Sequence, residues 1–243
     1  VGLPRSGSTL IYRILSSHSE VISRGESTDF ALTLMQTVGP ASNKSELVKR
    51  SANLDFKSLG SRYCTYLQNN NSQIQIDKTP SNFLYLGLIA KALPNAHIVH
   101  IRRNPMDACY AIYKTLFRMG YPYSYDLTDL GKYWLSYNSL MHHWQKVLPT
   151  QQFSEIDYED LVQHQESVSR KVITDIGLQW EDSCLAFEHN PEPSLTASAA
   201  QIRQPIYQTS VQLWKRYEQE LTPLREFFHA SGINTENISG QNE

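Results

Sequence analysis

Apolar positions fall into two alternating patterns along the chain, one with helical spacing and one with the period of a strand. Val1 reads as the stump of a first strand. Leu10, Ile11, Ile14 and Leu15 recur at helical spacing and predict a helix over residues 8–18. Residues 36–46 are polar and irregular, and Leu54, Leu59, Tyr63 and Leu67 predict a helix over 55–69. The segment SQIQIDK (72–78) alternates like a short strand. Thr79-Pro80 then has the form of an N-cap followed by proline at the first helical position. The helix it opens carries Phe83, Leu84, Leu86 and Leu88 and stops before Pro94. Residues 97–101 (HIVHI) are the clearest strand, and Asn104-Pro105 repeats the cap-plus-proline signal for a helix to about residue 119. An aromatic connector, GYPYSYD (120–126), leads to Asp126, the cap of a long amphipathic helix bearing Leu130, Tyr133, Trp134, Tyr137, Met141 and Trp144. A strand at 153–156 follows, then mostly helices, and the tail from 234 is polar and expected to fray. Strands alternating with helices predict an α/β fold, three layers α/β/α around a central parallel sheet.

Composition narrows this little. The chain has 243 residues, enough for one sizeable domain, and no linker divides it. A net charge of −2 argues against nucleic acid as the main partner, which would demand many cations. Cys64, Cys109 and Cys184 lack the spacing of a zinc site or disulfide framework, and they read as small buried thiols of a reducing compartment. No run reaches the length of a membrane span. The chain opens inside an apparent strand-to-loop junction, so an earlier start, a leader or a further N-terminal domain is compatible with it. The expectation is a single domain over 1–243, cytoplasmic, with a homodimer compatible.

Chemistry concentrates in GLPRSGST, residues 2–9. It has the G-x-x-x-x-G spacing of a phosphate-binding loop followed by Ser-Thr, between a strand stump and a helix. Gly2 and Gly7 let successive N–H groups curl toward one point, and the helix adds the positive end of its dipole. Where nucleoside triphosphatases carry lysine this chain has Ser8, and the cation sits inside the loop as Arg5. A forked guanidinium suits a pair of phosphosulfate oxygens. Asp77 ends a strand, but Lys78 beside it suggests neutralisation by protein cations instead of magnesium. In HIVHIRRNPMDACYAIYK (97–114), Arg102 and Arg103 stand at a strand's carboxyl end before a helix N-terminus, a second anion site.

PRSGST resembles the 5′-phosphosulfate loop of sulfotransferases that use 3′-phosphoadenosine-5′-phosphosulfate (PAPS). The order of the later segments resembles the branch of tyrosylprotein sulfotransferases and bacterial sulfotransferase domains, from residue 1 to about 228. The resemblance implies a P-loop-type fold and sulfuryl transfer from PAPS to a hydroxyl acceptor, with release of 3′-phosphoadenosine-5′-phosphate (PAP) and no metal. The acceptor it implies is a protein tyrosine, with saccharides and small alcohols left open. Residue by residue, it places Arg5, Ser6, Gly7, Ser8 and Thr9 on the phosphosulfate and Arg103 of R-N-P-x-D on the 3′-phosphate. Tyr158 and the late pair Ser198 and Arg203 fall at the nucleotide. A family serine eight residues after that arginine is here Ala111, and Tyr110, Tyr113 or Lys114 are the local substitutes. Lys78 in IDKTP matches the lysine that stabilises the leaving oxygen. Glu26 in SRGES matches the tyrosylprotein base, whereas His97 and His100 read as core histidines. Tyr121, Tyr123 and Tyr125 either line an acceptor pocket or pack as a connector. A P-loop kinase and a non-catalytic PAP-binding relic are the competing readings.

Overall fold

The structure is a computed structural model that describes residues 1–23, 25–67, 74–117, 120–192 and 201–236. It is built from α1 (Ser8–Leu15), β1 (Val21–Ser23), α2 (Asp29–Val38), α3 (Lys44–Ser51), α4 (Phe56–Cys64), β2 (Ile74–Ile76) and α5 (Leu86–Ala92). Then come β3 (Ile98–Arg102), α6 (Pro105–Tyr113), α7 (Leu127–Val147), β4 (Phe153–Asp157), α8 (Tyr158–Gln163), α9 (Gln165–Asp175) and α10 (Thr222–Ala230). The strands form two parallel pairs, β1 with β2 (Val21 opposite Ile74) and β3 with β4 (Ile98 opposite Phe153).

The Val1–Gly2 backbone lies along β3. The Val1 backbone nitrogen donates to Val99 O at 2.8 Å and Val1 O accepts Ile101 N–H at 3.0 Å, while Gly2 N–H reaches Pro80 O at 3.5 Å. The strand stump read from the sequence therefore joins β3 to the segment that follows β2. Apolar cores lie on both sides. In one, Ile11 and Ile14 of α1 pack with Ile101, Ile156, Leu161 and Val172. In the other, Leu59, Leu86, Met106, Trp134 and Phe228 join α4 to α7 with α10. The expected layered α/β architecture is the one observed.

Local chemistry explains most boundaries. Asn104 accepts the N–H groups of Met106 and Asp107, and Asp126 accepts that of Asp129, so both expected caps form. At Thr79-Pro80 the outcome differs. The Thr79 side chain is within 2.7 Å of Ser27 O and 2.6 Å of Asp77 Oδ1, so it caps nothing. The segment Pro80–Tyr85 is a 3-10 helix, and α5 starts only at Leu86. α6 ends at Tyr113, short of the expected 119. The stretch 36–46 expected to be irregular takes in the end of α2 and the first residues of α3, which Asn43 caps by accepting Glu46 N–H. Strand β1 is too short, at three residues, to register as a periodic pattern. Cys64 is exposed, unlike the buried Cys109 and Cys184. No helix among the described residues is long and apolar enough to cross a membrane.

Candidate active site

The loop after Val1 turns on backbone conformations that few side chains permit. Gly2 has φ 154° and Gly7 φ 105°. A Cβ on Gly2 would lie 2.5 Å from Ile101 O, and one on Gly7 would lie 2.5 Å from Cδ2 of Tyr158. Tyr158 thus packs flush on the loop because position 7 has no side chain. Gly7→Ala should lose about 2 kcal/mol or more of stability in denaturant unfolding, from strain plus collision. Arg5 also adopts φ 66°, an uncommon conformation for a residue with a side chain. Ser6 is buried, and both its N–H (3.2 Å) and its hydroxyl (2.7 Å) donate to Leu3 O. The Ser6 side chain therefore closes the turn.

Arg5, Gly7, Thr9, Arg103 and Tyr158, expected on the donor from scattered parts of the sequence, line one cleft together. Arg103 lies over the Tyr158 ring, its guanidinium carbon 4.5 Å from the centroid. It donates to Arg5 O at 3.0 Å and to Ser210 O at 2.6 Å, and its buried Nε has no hydrogen-bond partner among the described residues. Lys114 and Ala111 of α6 line the same cleft. Burial pushes the Lys114 ammonium below the usual lysine range, and the charges of Arg103 and Arg5 push it further. Burial likewise lowers Arg5, with Arg103 as the next cause. Three cations converging on one cleft repel each other, and an anion relieves that cost. Lys114, one turn beyond Ala111, supplies an ammonium where the hydroxyl is lacking. Lys114→Ala should weaken PAP binding about tenfold, most at low salt, whereas Ala111→Ser should strengthen it; calorimetric titration measures both.

Two carboxylates that sequence reasoning left without a role hold this cleft in shape. Asp107 accepts Gln212 N–H at 2.6 Å and Trp214 N–H at 3.0 Å, which anchors the late segment over α6. Burial raises its pKa, and those backbone donors and Arg103 oppose the rise. Its place in N-P-x-D was the available signal. Glu159 accepts Asn104 N–H at 3.0 Å and so fixes the turn after Arg103. The late segment closes the far wall with Ile202, Gln204, Pro205, Ile206 and Tyr207, and Ser210 bonds the Tyr158 hydroxyl at 2.7 Å. Arg203 is exposed and does not line the cleft; its neighbours Ile202 and Gln204 do. Ser198 lies outside the described residues.

Glu26 and Lys78 are brought into direct contact by an ion pair between Nζ and Oε1. Lys78 is 5% exposed, whereas the Glu26 side chain is 48% exposed, so the lysine is set deep and the carboxylate faces outward. Burial lowers the Lys78 pKa, and the bond and charge of Glu26 pull it back up. The fit has a local cause. Lys78 N–H donates to Gly25 O at 3.0 Å, and Gly25 N–H donates to the Tyr12 hydroxyl at 2.8 Å, which ties both segments to α1. Ser8, Tyr12 and Lys78 line a second cleft, while Thr9 lines the first, so the N-terminus of α1 separates the two. Asp77 is engaged elsewhere, by the Tyr63 hydroxyl at 2.7 Å and by Thr79 and Asn82. No group of three or more His, Cys, Asp or Glu able to hold a metal ion occurs among the described residues.

The connector tyrosines divide. Tyr123 stacks on Tyr133 at 3.6 Å and is packing. Tyr125 is exposed and donates to Phe117 O at 2.8 Å. Tyr121 is half-buried, and burial first and then the charge of Glu26 raise its hydroxyl.

A tight loop bearing Arg5 that opens α1, with Arg103 and Lys114 lining the same cleft, gathers three cations at one site of an α/β protein. The model of the sulfotransferase family matches residues 1–182, and the chain belongs to that family of sulfuryl transferases. An uncharacterized protein of Aquifex aeolicus (strain VF5) is 35% identical over 93% of this chain, and the chain spans 31% of that relative's length. The fold is shared with two solved sulfotransferase domains. One, from the curacin biosynthetic pathway, is 17% identical with TM-score 0.62, over 91% of this chain and 95% of that one. The other, from the Synechococcus PCC 7002 olefin synthase, is 18% identical with TM-score 0.66, over 88% and 85%.

Proposed function

We propose that the chain transfers a sulfuryl group from PAPS to a hydroxyl acceptor and releases PAP. The observation that carries this reading is the convergence of Arg5, Arg103 and Lys114 on one cleft, with the Lys78–Glu26 pair across the α1 N-terminus. The cleft suits a nucleotide bearing phosphates at both ends. Tyr158 offers a flat wall, the cations and the loop supply charge, and the 201–210 segment covers the rest. PAPS would supply the sulfuryl group and a good leaving phosphate. The chain's part is positioning and charge neutralisation, by analogy with phosphoryl transfer. Lys78 holds its ammonium toward the departing oxygen. Glu26, exposed at the acceptor side, accepts the hydroxyl proton. Tyr121, whose hydroxyl feels the charge of Glu26, is the aromatic side chain that favours a phenolic hydroxyl such as a peptide tyrosine over a saccharide on this reading. On this reading residues 1–243 act as a single domain without metal, and Asp77, held by three neighbouring side chains, is not a magnesium ligand.

Calorimetric titration with PAP in chelator, and in parallel with ATP and magnesium, tests the reading. Tight PAP binding without metal and a weak response to ATP are expected. No PAP binding, with ATP and magnesium bound instead, would overturn it in favour of a kinase. PAP binding with no transfer to tyrosine peptides, saccharides or alcohols would mark a relic.

A further inference from the structure

Helix α6 meets the donor cleft with a stripe of side chains. Asp107, Tyr110 and Lys114 follow one another at helical spacing, so they stack along one side of the helix, and all three line the cleft. The chain returns over this stripe as Leu213–Tyr217, a 3-10 turn. Its entry is bent. Gln212 has φ 55°, uncommon for a residue with a side chain, and Asp107 takes the N–H groups of Gln212 and Trp214. Its far end is Tyr217, whose ring stacks on that of Tyr110 with centroids 4.8 Å apart and planes at 29°. The turn is therefore fastened to α6 at both ends.

Over the Tyr110 ring lies the Lys114 ammonium, 4.6 Å from the centroid. Lys114 is long and exposed, and the charges of Arg103 and Arg5 repel it within the cleft they share. An unbraced ammonium would swing out to water, better hydrated and farther from both arginines. The electron-rich face of Tyr110 attracts the cation and gives it a seat beside Ala111, while stacking on Tyr217 fixes the ring. Tyr113, by contrast, is exposed and does not line the cleft. We propose that Tyr110, braced by Tyr217, is a positioning residue that holds the Lys114 ammonium in the cleft to bind the 3′-phosphate of the donor, and so makes the site select nucleotides phosphorylated there. The inference rests on the function proposed above. Tyr110 acts through Lys114 with its ring, not with its hydroxyl.

Calorimetric titration with PAP and with adenosine 5′-phosphate (AMP), which lacks the 3′-phosphate, tests this. Tyr110→Leu should bind PAP about fivefold more weakly and AMP within about twofold of the parent, for loss of one cation–ring contact. Tyr110→Phe keeps the ring and should stay within about twofold for both. In a Lys114→Ala background, adding Tyr110→Leu should cost less than about twofold in PAP affinity, since its partner is already gone. In the unliganded parent, proton NMR should find the Lys114 ε-methylene shifted upfield by the ring, a shift lost in Tyr110→Leu and kept in Tyr110→Phe. The proposal falls if Tyr110→Leu keeps its PAP affinity, weakens AMP as much, or still weakens PAP without Lys114. It falls as well if the parent lacks the Lys114 shift, or if Tyr110→Phe loses as much as Tyr110→Leu, which would give the role to the hydroxyl. A parent that ignores PAP yet shows the Lys114 shift would overturn the sulfotransfer reading and leave the hold on Lys114 standing.

Discussion

Replacing Lys78 with alanine should lower sulfuryl transfer by about 10²–10³-fold while PAP affinity stays within a few-fold of the parent. The asymmetry follows from where the lysine sits. It lines the cleft of Ser8 and Tyr12, apart from the cleft that gathers Arg5, Arg103 and Lys114. Its ammonium therefore meets charge that develops during transfer more than charge already present on the bound nucleotide. Burial lowers the Lys78 pKa, so the charged form is lost, and transfer with it, at a lower alkaline pH than for a free lysine. Glu26→Gln should also cut the rate, by about 10²-fold or more, and leave PAP affinity unchanged. Rapid-quench kinetics beside calorimetry separates the two quantities. Equal loss of PAP binding and rate in Lys78→Ala would make the lysine a nucleotide ligand only.

Arg103→Ala should weaken PAP by about 100-fold or more, the larger of the expected binding losses. Two effects add. The guanidinium supplies charge-assisted bonds to a phosphate, each worth about 1.5–3 kcal/mol. It also bridges Arg5 O and Ser210 O, so its loss frees the loop from the covering segment. Arg103→Lys restores charge but not the fork, and should recover only part of the affinity. Limited proteolysis near Ser210 distinguishes the contributions: Arg103→Ala should be cut faster than Lys114→Ala even without ligand. Equal cleavage would confine Arg103 to a purely electrostatic role.

Sequence reading did best where the chemistry is local. The glycines of GLPRSGST, the Asn104 and Asp126 caps and the strand at 97–101 depend on neighbours a few residues away, and the chain spells these out. It did worse where a distant partner decides. Thr79 looked like a cap, but Ser27 and Asp77 compete for its hydroxyl. Ser6 looked like a ligand donor, but Leu3 O takes both of its donors. Arg203 sits in the right segment yet is exposed, because a 3-10 turn directs its neighbours into the cleft instead.

By itself, the sequence determined the layered α/β order, the phosphate loop with its internal arginine, and the residue types suited to sulfuryl transfer. Loop curvature and helix caps follow from backbone sterics and short-range hydrogen bonds, which a one-dimensional pattern encodes. Only the tertiary structure decided which cations share a cleft, that Lys78 is buried against Glu26, and that Asp107 anchors the late segment over α6. These depend on β3 and β4 pairing in parallel with α6 and α7 between them, and burial and charge coupling arise only once that pairing is made.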